Sequence, residues 1–203
     1  MKINELINIA TSSPWKLENE IFRFFYYPFV RCQFFLAGVS YGKNWKIYGL
    51  PILQITKGSK VIIGNNLQLR STKQSNPLSP FHPVVISTRS SSAQIKIGNN
   101  FSMTGGSIVA EEKIEIGDRV MVGANCLIID TDFHPLDAKL RVKTPSAGKS
   151  KPIKIENDVF IGTQAIILKG SNIKAKSTVG ARALVNKKFS KKAILIGNPA
   201  KIK

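Results

Sequence analysis

A strict six-residue spacing of aliphatic residues near the end of the chain limits its fold more than any other feature. An α-helix repeats every 3.6 residues and a simple strand every two, so neither alone produces this spacing. Small or β-branched residues stand four positions after the first five aliphatic ones. The aliphatic positions are Ile155, Ile161, Ile167, Ile173, Val179 and Val185, and the small or β-branched ones are Val159, Ala165, Ser171, Ser177 and Ala183.

A chain that winds as a triangular coil has this period, because each turn then contains three short strands of about six residues. The aliphatic side chain points inward on each face, and the small residue lets the chain turn the corner. We therefore predict a mainly β fold: a left-handed parallel β-helix with a short helical N-terminal cap and a long loop at about 130–152. An ordinary parallel sheet is disfavoured, because helical segments would have to separate its strands.

Earlier repeats are less regular. Residues 63–67 and 97–101 match closely, and residues 71–83 form a Ser- and Pro-rich loop that carries His82. In this part the six-residue spacing predicts the inward positions Val85, Ser91, Ile97, Met103 and Val109. We therefore divide the chain into an N-terminal cap segment, residues 1–38, and a β-helix domain, residues 39–203.

The formal net charge of +18 indicates an anionic partner, which could be a phosphate-rich cofactor, an anionic membrane, an acidic glycan or nucleic acid. No nucleic-acid-binding motif is present, so we predict no nucleic-acid partner. Cys32 and Cys126 have neither ligand spacing nor a disulfide framework, which suits a reducing compartment. The N-terminus does not have the pattern of a secretory signal, so we expect a cytoplasmic protein.

The segment from Ile21 to Leu36 is dense in aromatic residues and contains Arg23 and Arg31. Ser13 and Pro14 are typical of a helix that begins near Trp15. The segment is too short and too charged for a transmembrane helix. Two interpretations stay open: a cap over the first coil, or an aromatic-basic contact with an anionic membrane that would hold the protein on the inner face of that membrane.

Two further motifs accompany the repeats: residues 130–137, DTDFHPLD, and residues 196–201, IGNPAK. Together they resemble the sugar O-acetyltransferases of the hexapeptide-repeat acyltransferase superfamily, in particular the colanic acid, capsule and O-antigen enzymes of polysaccharide biosynthesis. The resemblance covers roughly residues 45–203. It implies an O-acetyltransferase that is a homotrimer, with active sites between adjacent solenoids, acetyl-coenzyme A as co-substrate and a sugar or glycan as acceptor.

The resemblance places the catalytic base at His134. An imidazole with a pKa near neutrality can take the proton of a sugar hydroxyl as that oxygen attacks the thioester carbonyl. A carboxylate, Asp132 or Asp137, would orient the ring and stabilise the imidazolium.

The resemblance also places coenzyme contacts at Thr163 and Ala181, with Phe160 near the pantetheine end and Lys187 and Lys201 near the phosphates. We predict acceptor contacts at His82, Gly105 and Asp130, and for His82 a plain role in its loop stays open. Relatives that act on small sugars carry an acceptor-binding asparagine at a position that falls near Gly105. This chain has no asparagine there, so we expect an acceptor other than a free galactoside or maltose.

The same kind of coil occurs in proteins with other functions. A γ-type carbonic anhydrase needs three imidazoles around zinc, and this chain has two histidines in total, so we predict no metal. A sugar-nucleotide N-acetyltransferase stays open, because the same base would serve an amine. A non-catalytic basic scaffold also stays open, and a test of thioester turnover separates it from an enzyme.

Overall fold

The structure is a computed structural model that describes residues 11–203, and its strands form the three faces of a left-handed parallel β-helix. Sheet A contains β1 (Lys46–Tyr48), β4 (Gln68–Arg70), β7 (Ser102–Thr104), β10 (Met121–Val122), β13 (Phe160–Ile161), β16 (Thr178–Val179), β18 (Ile194–Ile196) and β19 (Lys201–Ile202). Sheet B contains β2 (Ile52–Gln54), β5 (Val85–Thr88), β8 (Ser107–Ala110), β11 (Leu127–Ile129), β14 (Ile166–Leu168) and β17 (Leu184–Val185). Sheet C contains β3 (Lys60–Ile63), β6 (Gln94–Ile97), β9 (Lys113–Ile116), β12 (Ile153–Ile155) and β15 (Asn172–Ile173).

The chain passes from sheet A to sheet B to sheet C once per coil, and the strands of successive coils pair in parallel. In the late coils Ile161 pairs with Val179, and Ile155 pairs with Ile173, eighteen residues further on in both cases. Eighteen residues per coil and three faces give the period of six that the sequence shows. The exception to the parallel pairing is β19, which turns back and pairs antiparallel with β18.

The predicted inward residues of the late coils are all buried, as are the small residues four positions later. They continue a core that fills the prism from Ile47 in the first coil to Leu195 beside the last. This part of the prediction is confirmed. Burying each aliphatic side chain stabilises the fold by about 1.5–3 kcal/mol, so the stacked columns carry much of its stability.

The predicted register is wrong by one residue on sheet B of the early coils. Ile86 and Ile108 point inward and pair with each other, whereas Val85 is half-exposed and Ser91 is exposed. The glycine corner at residues 105–106 is one residue shorter than a full six-residue repeat and so moves the inward position from 109 to 108; the mismatch at Val85 instead follows the loop at residues 71–83.

A ladder of side-chain oxygens joins the coils at the corner between sheets C and A. The side chain of Asn65 accepts from the backbone N–H of Lys43, that of Asn99 from Asn65, and that of Asp118 from Asn99, at 2.7–2.9 Å. Asn157 extends the ladder by accepting from Asp118 at 2.9 Å. Each side-chain oxygen accepts from a backbone N–H group that has no strand partner because it lies in the turn. The repeated Asn and Asp residues of this corner are therefore structural.

The N-terminal helix, α1 (Pro14–Leu36), covers the first coil with one face. Val30 and Phe34 are buried in the same cluster as the core of the coils, and the Phe34 ring meets that of Trp45 edge-on at 5.2 Å between centroids. Polar contacts attach the rest of the helix: Tyr48 donates to Glu20 at 2.6 Å, and Gln33 donates to the Pro51 carbonyl at 2.7 Å. These contacts support the predicted cap. The domain boundary at residue 38 stays a prediction, and residues 1–10 of the segment lie outside the described residues.

The opposite face of α1 is apolar and exposed. Its exposed large side chains include Ile21, Phe22, Phe24, Phe25, Phe29, Phe35 and Leu36. Residues 11–203 contain no helix with the length and apolarity that crossing a bilayer requires.

Candidate active site

The predicted long loop leaves the solenoid between β11 and β12, at residues 130–152, and it is held together by its own hydrogen bonds. The two arms of the loop pair at their base, where the N–H of Asp132 donates to the Lys149 carbonyl at 3.0 Å and the N–H of Lys151 donates to the Asp130 carbonyl at 2.9 Å. The loop contains a short helix, α2 (Ala138–Lys143), which the sequence did not predict. The loop therefore has a defined conformation that fixes the positions of its side chains.

His134 lies just beyond the paired base of the loop, and its ring is exposed. The ring nitrogen Nδ1 lies 2.6 Å from the carbonyl oxygen of Pro145, on the opposite arm. A carbonyl oxygen only accepts, so Nδ1 carries the proton and donates it. In the neutral ring the lone pair then belongs to Nε2, which is the form that a general base requires.

The two carboxylates that were predicted to orient this ring have other partners. Asp137 caps α2 by accepting from the N–H of Leu140 at 2.8 Å, and Asp132 forms an ion pair with Lys169. The orienting contact comes from the Pro145 carbonyl instead, and Asp132 and Asp137 shape the loop. The sequence could not indicate this, because Pro145 reaches the ring only once the two arms of the loop have paired.

Asp130 is fully buried, so the prediction that it contacts the acceptor is wrong. Its carboxylate accepts from three consecutive backbone N–H groups, those of Glu111, Glu112 and Lys113, at 2.7–2.9 Å. Burial raises the pKa of Asp130, and the three hydrogen bonds oppose that rise. Its role is to fix the neighbouring corner of the coil below the loop.

A groove of about 540 Å³ runs along the outside of sheet A from β4 to β16. The groove brings together three of the predicted coenzyme contacts: Phe160, Thr163 and Ala181. Phe160 projects from β13 and is 45% exposed. Within residues 11–203, none of the lining residues comes from loop 130–152, so the groove of this chain and its own His134 are separate.

The corner beside this groove differs from the corner that carries the Asn/Asp ladder. Here the turns contain Thr163 and Ala181, and the backbone N–H groups of these two residues donate no hydrogen bond within the described chain. The hydroxyl of Thr163 donates to the Ala124 carbonyl at 2.8 Å. The groove therefore presents unpaired donors, on successive coils, to whatever lies in it.

Lys187 and Lys201 do not line the groove: Lys201 lies beside its C-terminal end, whereas Lys187 lies where the chain passes from sheet B to sheet C. Lys201 begins β19, whose partner β18 pairs in turn with β16 of the groove, and Lys187 follows β17, with its ammonium 5.5 Å from the centroid of the Phe189 ring. Both lysines are exposed. Of the two, Lys201 is the one whose position allows contact with the charged end of a ligand that extends beyond the groove.

His82 and Gly105 lie where the loop of residues 71–83 folds against the corner between β7 and β8. Gly105 is buried at a φ of +53°, and a Cβ there would lie 2.6 Å from Cβ of Pro80. The ring of His82 donates to the Pro83 carbonyl at 2.7 Å. Gly105 is thus required by the backbone and by packing, and its contact with the acceptor stays a prediction.

No protein-family model matches the chain. Among curated proteins the chain is 35% identical over 104 residues to a galactoside O-acetyltransferase of Lactococcus lactis, a match that covers 51% of this chain and 47% of that protein. It is 32% identical over 111 residues to the galactoside O-acetyltransferase of Escherichia coli, covering 54% of this chain and 53% of that protein. The chain thus spans about half the length of the curated relatives it matches.

Solved structures show the same fold. A hexapeptide-repeat acetyltransferase of Vibrio cholerae superposes with a TM-score of 0.58 at 24% identity, over 98% of this chain and 91% of that one. An N-acyltransferase from Bacillus cereus, in complex with an amino-sugar nucleotide and coenzyme A, superposes with a TM-score of 0.59 at 17% identity, over 85% and 87% of the two chains. The resemblance that the motifs predicted is therefore confirmed: this chain is similar in sequence to sugar acetyltransferases and has the hexapeptide-repeat fold.

Replacing Asp130 tests its structural role. Asp130→Asn keeps the size of the side chain but turns one acceptor oxygen into a donor that faces backbone N–H groups. We expect the free energy of unfolding in urea to fall by about 1–3 kcal/mol, the usual effect of an unsatisfied buried group. The matched control is Asp158→Asn, which removes an exposed ion pair with Arg119 and should change stability by at most about 1 kcal/mol. Equal effects of the two substitutions would contradict this role.

Proposed function

We propose that the chain transfers an acetyl group from acetyl-coenzyme A to a hydroxyl group of a sugar or glycan precursor, with His134 as general base. The observation that carries the proposal is the contact of His134 Nδ1 with the Pro145 carbonyl, because it leaves Nε2 exposed and able to accept a proton. The similarity to galactoside O-acetyltransferases supports the same chemistry. The proposed setting is polysaccharide biosynthesis in the cytoplasm.

The residues of the groove fit the co-substrate. The unpaired N–H groups of Thr163 and Ala181 suit the amide carbonyls of a pantetheine arm, and Phe160 offers it an apolar contact. Lys201 would neutralise phosphates at the far end. When bound, acetyl-coenzyme A supplies an acetyl thioester whose carbonyl carbon is open to attack.

In the proposed reaction, His134 Nε2 removes the proton from the acceptor hydroxyl as the oxygen bonds to the acetyl carbon. The carbon–sulfur bond then breaks, and His134 returns the proton to the departing sulfur. The Pro145 carbonyl holds Nδ1–H throughout, and its partial negative charge stabilises the imidazolium. A second base is not needed, because one proton leaves the acceptor and one reaches the thiolate.

Loss of the base gives a direct test. We expect His134→Ala to lower acetyl transfer by about two to four orders of magnitude, measured as free thiol released. Binding of coenzyme A should stay nearly unchanged, because the ring acts on the acceptor. Ile62→Ala, at an exposed position on sheet C, is the control and should retain the wild-type turnover. Normal turnover by His134→Ala would remove this residue from the mechanism.

We also propose a homotrimer in which the His134 loop of one subunit faces the sheet A groove of its neighbour. The separation of loop and groove within one chain supports this arrangement, because the base and the coenzyme contacts must meet for reaction. Three chains of 22.4 kDa give a particle of about 67 kDa.

Mixing two inactive variants tests the shared site. His134→Ala lacks the base, and Ala181→Trp fills the groove from an exposed position. Each homotrimer should be inactive, but every mixed trimer contains one site with an intact base and an intact groove. Random mixing of the subunits should therefore restore about a quarter of the wild-type rate. Sites confined to single subunits would show no recovery, and a stable, active monomer would also exclude the trimer.

A membrane contact through α1 is part of the proposal. The outward face of the helix is apolar, with Phe25 and Phe29 each 65% exposed, and it borders a basic part of the chain. Residues 21–110 contain ten Lys and Arg residues and no Asp or Glu. An apolar face beside excess positive charge fits the interface of an anionic bilayer, on the inner side of the membrane.

Vesicle sedimentation tests this contact. We expect binding to phosphatidylglycerol vesicles, weaker binding to phosphatidylcholine, and loss of binding with added salt. At 0.1 M salt the Debye length falls to about 10 Å, and the attraction between charges further apart than that is largely screened. The double variant Phe25→Ser, Phe29→Ser should bind less and remain folded. Ile62→Ser, at an exposed position on sheet C, is the control and should bind as wild type does. If the full-length protein does not bind anionic vesicles at low salt, the membrane contact is contradicted and α1 serves only as a cap.

A further inference from the structure

The two ends of the sheet A groove differ in chemistry. The end in the late coils has a floor of glycines and the unpaired N–H groups of Thr163 and Ala181. The opposite end, on β4 and the loop that follows it, is lined by Gln68, Arg70 and Asn76. Parallel strands lie about 4.8 Å apart, so four steps from β16 to β4 separate the ends by about 19 Å.

Arg70 is held in place at its end of the groove. Its guanidinium carbon lies 4.6 Å from the centroid of the Tyr48 ring, and its Nη1 donates to the Ser75 carbonyl. Tyr48 is itself fixed by its hydrogen bond to Glu20. An arginine that is already stacked and bonded loses little conformational entropy when it binds a ligand, and four of its five N–H donors remain.

The charge of Arg70 is not neutralised by the protein. Within residues 11–203 its guanidinium forms no ion pair, whereas the nearby carboxylate of Glu20 is paired with Arg23. Arg70 also lies inside the stretch of residues 21–110 that contains no acidic residue. A ligand at this end of the groove therefore meets a fixed, uncompensated positive charge.

We infer that this end of the groove is the acceptor subsite and that Arg70 selects an acceptor bearing a negative charge, a carboxylate or a phosphate attached to the sugar. The inference rests on the proposed acetyl transfer. A planar guanidinium can bind either anion through two parallel hydrogen bonds. The side-chain amide of Gln68, which makes no hydrogen bond within the described chain, and the amide of Asn76 offer contacts for the hydroxyls of the sugar ring.

Matched acceptors test the selection. Glucose, glucuronate and glucose 6-phosphate share one ring and differ in the charge at carbon six, and free thiol reports their acetylation by the full-length protein. We expect kcat/KM for at least one anionic sugar to exceed that for glucose by about ten- to a hundredfold, the range of one charged hydrogen bond. The better of the two anionic sugars identifies carboxylate or phosphate. Equal rates for charged and neutral sugars would overturn the inference.

Variants then assign the preference to Arg70. Arg70→Gln should reduce the ratio of anionic to neutral kcat/KM towards one and leave the KM for acetyl-coenzyme A unchanged. Arg70→Lys, which keeps the charge, should recover part of the ratio. Lys60→Gln removes the same charge from sheet C and should preserve the wild-type ratio. An unchanged ratio in a folded Arg70→Gln protein would contradict the inference, even with acetyl transfer intact.

Binding measured without turnover separates the two proposals. Calorimetry on the coenzyme-A-loaded protein should show glucuronate or glucose 6-phosphate binding more tightly than glucose, with the difference lost in Arg70→Gln. If coenzyme A itself does not bind, the proposed function fails. If coenzyme A binds but the three sugars bind with equal affinity, the proposed function is retained and the anionic subsite is contradicted.

Discussion

Coil stacking depends on how closely the backbone of one coil can approach that of the next. At the corner beside the groove, a Cβ on Gly123 would lie 2.6 Å from the Thr163 nitrogen, and one on Gly162 would lie 2.5 Å from the Ala181 nitrogen. Side chains at these positions would push the coils apart and break the parallel ladders on the adjoining faces. The same glycines line the groove without side chains, so the condition for folding also leaves space for an extended ligand.

The fold of the late coils could be predicted from the sequence because nothing interrupts them. From Ile155 to Val185 each corner has the same length, so the spacing of six reports the inward direction without error. The early coils contain a loop at 71–83 and a short corner at Gly105. Either change shifts the inward position by a residue, and the backbone angles that decide it are not visible in the residue types. The helix α1 was also predictable at its start, since Pro14 is its first residue.

The candidate site was predictable in its parts but less so in its contacts. The motif at 130–137 indicated His134, and the late repeats indicated Phe160, Thr163 and Ala181 on one surface, which the groove brings together. The Pro145 carbonyl and the ion pair of Lys169 with Asp132 depend on the path of a folded loop. The burial of Asp130 could have been predicted: it follows the inward Ile128 by two residues, and the alternation of side chains along a strand places both on the core side.

The long loop interrupts its coil without disturbing the stack. Val122 pairs with Ile161, 39 residues further on, yet both lie in the same column as Val179, only eighteen residues beyond Ile161. The two arms of the loop pair with each other at Asp132 and Lys149, so the insertion leaves and rejoins the coil at one corner and does not alter the pairing of the strands. Doubling the length of such a loop costs only about 0.6 kcal/mol in closure entropy. The loop that carries His134 can therefore change in length and sequence without altering the coil, whereas the groove residues belong to the coil itself and cannot.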